Sequence, residues 1–401
     1  MWELVRANQR RSTMLVIAMA FVLAALGYAI GHLFLSGEGW SGLALAVILW
    51  AVLAAVTYAS GDSIVLALSR ARRIEKQHHP VLYNIVEEMT IAAGLPQMPA
   101  IYIIDDPAPN AFATGRTPQK AAVAVTAGLL ETLSRDELQG VIAHELAHIK
   151  NRDVLYMTTL TVMVGTIVIL AAVARHMIWF GGGRRRTSRR SGGGGQAEVF
   201  IAIAAVVLMI LAPLIARLLY FAASRRREYV ADGCAALFTR YPEGLASALE
   251  KISRTTRSKL AAANEATAPM YLVNPLKVSK AGLANLSATH PPIEERIRIL
   301  RSMGGEAGLS RYDSAYRQIT GRAVGVVPAS HRDGQVTRAR AAARREEADR
   351  RQRVRQATDA LWQLNDFIFV PCACGTKLKV PPELRGRSLA CPHCGREHAI
   401  Q

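Results

Sequence analysis

Two long apolar stretches near the amino terminus place the strongest constraint on the fold. Residues 13–35 run for 23 positions without Asp, Glu, Lys or Arg, and a second apolar stretch covers residues 41–61. Because a helix of about 20 apolar residues can cross a bilayer, residues 1–69 are predicted to form a transmembrane hairpin. A signal peptide is the alternative interpretation, but the first stretch is long for one and no small-residue cleavage site follows closely.

Positive charge flanks this hairpin at both ends. The chain is 51% apolar and yet carries a formal net charge of +18, which is typical of membrane helices joined to basic soluble parts. Arginines 6, 10 and 11 precede the first stretch, and residues 69–76 contain three more. Since basic loops stay on the cytoplasmic side, both ends are predicted to face the cytoplasm, with the protein in the cell inner (cytoplasmic) membrane.

A second pair of apolar segments, 154–178 and 199–223, predicts another hydrophobic hairpin over 154–223, so that four hydrophobic helices are expected. The Gly/Arg linker at 181–197 is predicted to be disordered. Two arrangements remain open. If both segments span, the linker arginines lie outside, against the positive-inside rule. If neither spans, the pair dips into the bilayer from the cytoplasm.

Residues 70–153 have the pattern of a soluble unit with helices and a small sheet. Periodicity predicts helices at 79–95 and 128–133, strands at 100–105 and 121–126, and a third, exposed strand at 110–115. Ser134 is a suitable N-cap for the helix that follows.

That helix, within residues 137–153, carries an HExxH motif at His144, Glu145 and His148. Positions i and i+4 share a face of a helix, so both imidazoles can bind one Zn²⁺. Glu145 lies beside them and can accept a proton from a water on the zinc. The alternative is a pair of core histidines and a solvated glutamate. The apolar helix around them favours the metal, because buried polar groups need a ligand or partner.

A catalytic zinc usually has a third protein ligand, and Glu228 is the candidate. It lies on a predicted helix with Asp232 one turn later on the same face. Asp232 can accept a hydrogen bond from a ligand imidazole and so fix its tautomer. Taken alone, the two residues would read as an acidic pair on a solvated helix.

At this point the chain resembles a known family, the HtpX-like membrane zinc metalloproteases, which are relatives of the CAAX prenyl proteases. The resemblance covers residues 13–303 and is carried by four stretches: NAFATG at 110–115, HELAHIKNRD at 144–153, SRRREYVAD at 224–232 and ATHPP at 288–292. It implies a mainly α fold with a small β-sheet, a gluzincin-type zinc protease domain. The domain's two parts would be residues 70–153 and 224–303.

The resemblance also implies roles for the matching residues. The zinc ligands would be His144, His148 and Glu228, with Glu145 as the general base and Asp232 hydrogen-bonded to a ligand.

Three more residues gain a role from the family alone. His290 matches a histidine that would stabilise the oxyanion; a loop histidine before a Pro-Pro helix start is the alternative. Asn110 and Ala111 match the edge strand on which such enzymes lay their substrate. An unpaired strand edge binds an extended peptide through main-chain hydrogen bonds.

The carboxyl terminus, residues 366–401, departs from that family. Its pattern is Cys372-x-Cys374, sixteen residues, then Cys391-x-x-Cys394, which is typical of a structural zinc ribbon. A module of this size hardly folds without metal. Unliganded thiols in a flexible tail are the alternative, and the ribbon's partner is left open. Cys234, the fifth cysteine, is predicted to be a buried small apolar residue.

Residues 304–365 are polar and are predicted to be a basic tail or helical tether. Residues 332–356 are dense in arginine. No aromatic residues interleave them, which counts against base stacking, so nucleic acid is not an expected partner.

The sequence therefore predicts a membrane-embedded zinc endopeptidase with one catalytic and one structural zinc, and the resemblance implies that it cleaves misfolded membrane proteins. Its expected partners are protein substrates and the lipid bilayer. The alternatives are a narrow processing protease and a catalytically idle scaffold that recruits partners through its ribbon and basic tail. The intact Glu145 argues against the scaffold.

Overall fold

The structure is a computed structural model. It describes residues 2–34, 39–115, 117–154, 225–255, 291–327, 336–342 and 350–400, with single positions at 167, 171, 172, 176 and 211. The expected second hydrophobic hairpin and its linker at 181–197 lie almost entirely outside the described residues. His290 also lies outside them.

Helices and strands alternate along the described parts of the chain. The helices are α1 (Trp2–Phe34), α2 (Gly39–Leu68), α3 (Pro80–Ala93), α4 (Ala127–Thr132), α5 (Arg135–Lys150), α6 (225–239), α7 (Pro242–Thr255), α8 (Ile293–Arg301), α9 (Leu309–Thr320) and α10 (Arg350–Leu364). The strands are β1 (Arg72–Ile74), β2 (Ala100–Ile104), β3 (Ala111–Gly115), β4 (Ala121–Thr126), β5 (Glu306–Ala307), β6 (Thr337–Arg338), β7 (Ile368–Pro371), β8 (Lys377–Val380), β9 (Ser388–Ala390) and β10 (Glu397–Ala399). The mainly α fold with a small sheet is thereby confirmed.

Helices α1 and α2 form the amino-terminal hairpin. They approach closely because glycines face each other: a Cβ on Gly42 would lie 2.3 Å from the carbonyl oxygen of Gly27. Small residues at such crossings are typical of membrane helices. Within the described residues, one stretch, Gly39–Val56, is long and apolar enough to cross a membrane; the apolar part of α1, Ala20–His32, is shorter.

The main sheet has the strand order β1-β2-β4-β3. Strands β2 and β4 are parallel, while β1 and β3 pair antiparallel with their neighbours. The predicted strands at 100–105 and 121–126 are confirmed, and β1 was not predicted. Strand β3 is an edge strand, as expected.

The side chains of β3 are buried, however, so the expected exposed strand at 110–115 is wrong in this respect. Ala111 and Ala113 face the main core, and Phe112 packs on the other face against Val65 and Leu66 of α2. Both faces are covered because α5 packs on one and α2 on the other. Within the described residues, the main chain on the outer side of β3 has no neighbouring strand.

Helix α5, which carries the HExxH motif, begins directly after Ser134, the residue predicted to be its N-cap. The Ser134 side chain accepts from the Glu137 N–H, and the Glu137 carboxylate accepts from the Ser134 N–H, which is a capping box. Glu137 also accepts hydrogen bonds from Ser247 and Lys251 of α7, at 2.5 and 2.7 Å. At Gly140 the helices nearly touch, because a Cβ there would lie 2.6 Å from the Leu245 nitrogen.

The described parts of residues 304–365, for which a basic tail or helical tether was predicted, include segments that pack on the protease core. In the described parts, Tyr312 and Tyr316 of α9 and Ala357 and Ala360 of α10 belong to the main core. Helix α10 packs on α4. Its two alanines lie three positions apart and so share one face of the helix. Arg350, Arg351 and Arg355 are exposed, whereas Arg353, one turn before Ala357, donates to the Glu131 carbonyl of α4 at 3.4 Å.

Arg340 anchors this segment to the motif helix. Its guanidinium donates to the Asp136 carboxylate and to the Gln139 side-chain oxygen, at 2.7 and 2.8 Å, and lies 4.8 Å from the Tyr241 ring centroid. Asp136 and Gln139 belong to the first turns of α5. Arg340 therefore holds residues 336–342 against the start of the helix that carries HExxH.

The carboxyl-terminal module pairs β7 with β8 and β9 with β10. It is fixed to α10, because Lys377 and Lys379 contact the Asp359 carboxylate at 3.2 and 2.8 Å. Through α10, the module is linked to the protease core.

We expect Arg340→Ala to lower the free energy of unfolding by about 1–3 kcal/mol, because the Asp136 carboxylate and the Gln139 side-chain oxygen on α5 lose their hydrogen-bond donor. Thermal unfolding of the purified protein in detergent measures the change. Arg338→Ala, at an exposed neighbouring position, is the matched control and should leave the midpoint within about 1 °C. Equal unfolding midpoints for the two variants would show that the contacts of Arg340 with α5 do not stabilise the fold.

Candidate active site

The side chains of His144, His148 and Glu228 converge at one point inside the protein. The two Nε2 atoms lie 3.2 Å apart, and the Glu228 carboxylate oxygens lie 3.7 Å from the His144 Nε2 and 3.5 Å from the His148 Nε2. Ligands about 2.0–2.1 Å from one tetrahedral ion are about 3.3 Å apart. The spacing and the chemistry of these three donors therefore fit Zn²⁺.

Two helices bring these donors together. Helix α5 supplies both imidazoles from one face, and α6 supplies Glu228. Both helices are anchored in the main core, with Leu146 of α5 and Ala231 and Cys234 of α6 fully buried. The prediction that Cys234 is a buried small residue is confirmed. Packing of the two helices thus brings Glu228 next to His148, which lies 80 residues earlier in the chain.

Each imidazole has a carboxylate at its other ring nitrogen. The His144 Nδ1 lies 2.9 Å from Asp232 Oδ1, and the His148 Nδ1 lies 3.2 Å from Asp153 Oδ2. A carboxylate at Nδ1 holds the proton there and leaves the Nε2 lone pair for a metal. Asp232 lies where the sequence predicts. Asp153 was not predicted, although a carboxylate five residues after the second histidine was a usable signal.

A buried arginine, Arg296 of α8, completes the layer around the donors. Its Nε and Nη2 donate to the two oxygens of Asp232 at 2.8 and 2.7 Å, and its Nη1 lies 3.5 Å from Glu228 Oε2. The side chain is 0% exposed. Sequence reasoning missed this residue. The available signal was its position three residues after Ile293 and four before Leu300, on the apolar face of the helix.

The charges set the protonation of the site. Burial is the largest influence on the pKa of Asp232 and would raise it, but the charge and hydrogen bonds of Arg296 together with the contact to His144 hold that pKa below its ordinary value. Burial would lower the pKa of His144, yet hydrogen bonds with Asp232 and Glu228 raise it to about 9. Because a metal needs the neutral imidazole, binding at neutral pH must release a proton from His144.

Glu145 and Asn110 are predicted site residues that the structure describes, and both are buried. Glu145 is 2% exposed and follows His144 on α5. Asn110 is buried, its N–H donates to the Thr126 hydroxyl at 2.8 Å, and its side-chain oxygen accepts from the Ala111 N–H at 3.1 Å. Strand β3 packs against α5. The edge strand and the motif helix are therefore neighbours.

The four ribbon cysteines form a second cluster. The Sγ atoms of Cys372 and Cys394 lie 3.5 Å apart, those of Cys374 and Cys391 lie 3.7 Å apart, and all four lie within 4.8 Å of one another. Thiolates about 2.3 Å from one tetrahedral zinc are about 3.8 Å apart. The donor set and its spacing fit a structural zinc.

Comparison with known proteins agrees with this geometry. The model of peptidase family M48 matches residues 76–304, which contain both halves of the histidine and glutamate site. The chain belongs to peptidase family M48. It is accordingly a zinc metalloprotease.

Relatives of the family match a longer part of the chain than the family model does. The chain is 46% identical over 303 residues to a protease HtpX homolog of Dictyoglomus thermophilum. The matched residues make up 76% of this chain and 95% of the relative. A protease HtpX homolog of Lactobacillus helveticus is 38% identical and covers 76% and 100%. A solved structure, the crystal structure of S. mikatae Ste24p, aligns at 20% identity with a TM-score of 0.41, over 75% of this chain and 67% of that one.

We expect Arg296→Gln to lower the free energy of unfolding of the metal-free protein by about 3–5 kcal/mol, since Asp232 and Glu228 would stay buried without their cation. Denaturant unfolding in the presence of a chelator measures this. Arg301→Gln is the control: Arg301 pairs with Glu243 and Glu250 at the surface, and its loss should cost about 1 kcal/mol or less. Similar losses in both variants would contradict the assigned role.

Proposed function

We propose that the protein is a membrane-embedded endopeptidase with its active site facing the cytoplasm, and that it cleaves misfolded membrane proteins. The observation that carries the proposal is the buried convergence of His144, His148 and Glu228 beside Glu145 and an edge strand. Buried polar side chains at this spacing are costly to keep without a ligand.

In this proposal His144, His148 and Glu228 hold the zinc, which when bound polarises the scissile carbonyl and lowers the pKa of the attacking water. Glu145 is the general base: its carboxylate takes the proton from the water and later passes it to the leaving amine. Asp232 and Asp153 keep the two imidazoles oriented throughout. Arg296 keeps Asp232 ionised.

Substrate binding is proposed along the free edge of β3. The Asn110 carbonyl accepts from the Thr126 N–H at 3.0 Å, so Asn110 faces β4. Because neighbouring residues of an antiparallel strand alternate in direction, the main chain of Ala111, Ala113 and Gly115 faces away from β4. The Ala111 N–H already donates to the Asn110 side-chain oxygen, but the Ala111 carbonyl and the main chain of Ala113 and Gly115 can pair with an extended peptide of almost any sequence. Such pairing suits an enzyme that disposes of varied misfolded segments.

His290 is proposed to stabilise the oxyanion. Support comes from the helix that follows it. Arg296 bonds to Asp232, and the Tyr229 hydroxyl donates to Glu295. These contacts hold the start of α8, which begins three residues after His290, against α6.

The location in the inner membrane rests on the amino-terminal hairpin. Gly39–Val56 is long and apolar enough to span, and exposed Arg70, Arg72 and Arg73 follow α2. Basic residues at that position favour a cytoplasmic protease domain. A second hydrophobic hairpin over 154–223 is proposed to complete the membrane part.

The alternative of an idle scaffold draws on the ribbon, which is an addition beyond residues 76–304 matched by the family. In our proposal the ribbon carries a structural zinc at Cys372, Cys374, Cys391 and Cys394. The presence of Glu145 beside the metal donors favours an active enzyme over a scaffold.

We expect Glu145→Gln to abolish peptide cleavage while zinc stays bound, because the proton acceptor is lost and the three donors are kept. Cleavage of an unfolded protein such as casein by purified protein measures the activity. Glu87→Gln, at an exposed position on α3, is the control and should cleave as wild type. Residual cleavage by Glu145→Gln above the background of a chelated sample would rule out this mechanism.

We also expect two zinc ions per chain in the wild type and one in Glu228→Ala, since the ribbon would keep its own ion. Cys391→Ser should likewise lose one ion and retain the other. Elemental analysis of purified protein gives these counts. An unchanged count in Glu228→Ala would exclude Glu228 as an essential ligand.

A further inference from the structure

We propose that a face formed by α10 and the carboxyl-terminal module binds the headgroups of anionic phospholipids at the cytoplasmic surface of the membrane. The inference goes beyond the proposed peptidase activity, and it uses the proposed cytoplasmic orientation of the protease domain. It assigns a partner to a part of the chain that lies beyond residues 76–304, which the family model matches.

The face combines one side of α10 with one side of the β7–β8 hairpin. Arg355, Asp359 and Trp362 are spaced four and three positions apart along α10, so they lie on the same side of the helix. Lys377 and Lys379 are two positions apart in β8 and share one side of the hairpin. Both lysines contact the Asp359 carboxylate, which joins the two sides into one surface. We call this surface the basic-aromatic face and define it by Arg351, Arg355, Trp362, Phe369, Lys377 and Lys379.

Aromatic rings lie against the ammonium groups of this face. The Lys377 Nζ is 4.3 Å from the Phe369 ring centroid, and the Lys379 Nζ is 5.8 Å from the Trp362 ring centroid. Trp362 packs edge-on against Phe367 and keeps 36% of its surface exposed. Tryptophan beside lysine suits a membrane surface, because the indole ring lies at the level of the headgroups while the ammonium group stays in the polar layer.

The face and its surroundings are positively charged. Residues 350–400 contain nine Lys and Arg against four Asp and Glu, and a divalent ion with four thiolates adds only two negative charges. Arg351, Arg355, Lys377 and Lys379 are all exposed. Each basic residue near an anionic bilayer surface strengthens binding about fivefold. Basic residues gathered on one face therefore fit a surface of anionic phospholipid.

Hydrogen bonds tie this face to the chain that leaves the membrane hairpin. The Arg72 Nη1 donates to the Leu364 carbonyl at 3.2 Å and also to the Asn365 side-chain oxygen. Leu364 is the last residue of α10, and Arg72 follows Leu68, the last residue of α2, by four positions. The end of α10 is therefore fixed close to the point where α2 ends.

The length of α2 places this anchor near the headgroups. The apolar stretch ends at residue 61, and α2 continues for seven residues to Leu68, which rises at most about 10 Å. The headgroup layer takes up about 5–8 Å of that distance. The potential of an anionic surface extends about 8 Å farther at physiological salt. The basic side chains near the end of α10 thus lie within range of an anionic bilayer surface.

An acidic protein segment is the competing occupant, since it also presents negative charges to lysine and arginine. The anchor at the end of α2 and the exposed ring of Trp362 favour lipid, because binding of a soluble acidic segment requires neither. The two occupants differ in whether binding needs anionic lipid in the bilayer.

The experiment uses the full chain with zinc in nanodiscs of phosphatidylcholine, with or without about 30% phosphatidylglycerol. Both disc types contain the same fraction of phosphatidylcholine brominated near the headgroup end of its acyl chains, which quenches tryptophan only at short range. The signal of Trp362 is the difference between wild type and Trp362→Phe, because the other tryptophans are common to both. We expect quenching of Trp362 to be at least about twofold stronger with phosphatidylglycerol, and about 0.5 M salt should remove the difference.

Paired arginine substitutions separate charge from fold. Arg351→Gln with Arg355→Gln should weaken binding about 25-fold and bring the ratio of quenching in the two disc types close to one, while the contacts of Asp359 stay intact. Lysine at both positions should keep the ratio. The matched control, Arg254→Gln with Arg298→Gln, removes two exposed arginines from α7 and α8 and should also keep it.

Equal quenching of Trp362 in the two disc types, or a difference that survives the two glutamine substitutions, overturns the proposal. If lipid composition has no effect and a soluble polyglutamate peptide binds in a way that needs Arg351 and Arg355, the face binds acidic protein and the lipid proposal is refuted. The same lipid dependence is expected in Glu145→Gln protein, since lipid binding needs no cleavage. Failure of the peptidase proposal in the cleavage assay is therefore distinguishable from failure of this one.

Discussion

A buried arginine, Arg296, balances the negative charge of the carboxylates in the catalytic centre. Arg296 is enclosed completely and pairs with Asp232 through two hydrogen bonds, with Glu228 close to its third nitrogen. Without this cation, two carboxylates would lie inside the core next to each other, which is strongly unfavourable. With it, Asp232 stays ionised and accepts the Nδ1 proton of His144. The geometry of the zinc donors thus depends on a residue that donates nothing to the metal.

That arginine in turn depends on the elements around it. Helix α8 is held against α6 by the Tyr229–Glu295 hydrogen bond and is followed by α9, whose Tyr312 is fully buried in the same core. The chain then returns through β6 and Arg340 to the first turns of α5. The carboxyl-terminal extension, which lies beyond the family match, is therefore packed around the protease core and carries the ribbon on α10.

An edge strand and the motif helix lie side by side in the active-site region. The side chains of β3 are packed on both faces of the sheet, so the strand presents main chain at its outer edge. Helix α5 packs against this strand and carries both histidines of the site. In the function that we propose, main-chain pairing along this edge binds extended segments of many sequences.

The sequence alone determined the features that depend on neighbours along the chain. The spacing of His144, Glu145 and His148 places them on one helical turn, and Ser134 with Glu137 begins that helix, since both effects act within four residues. The apolar periodicity of the strands and of α3 is equally local. Tertiary structure decided the rest. Arg296 gains its role only when α8 meets α5 and α6, and the packing of α10 on α4 depends on two alanines hidden among arginines. Such contacts join residues far apart in sequence, so local composition cannot reveal them.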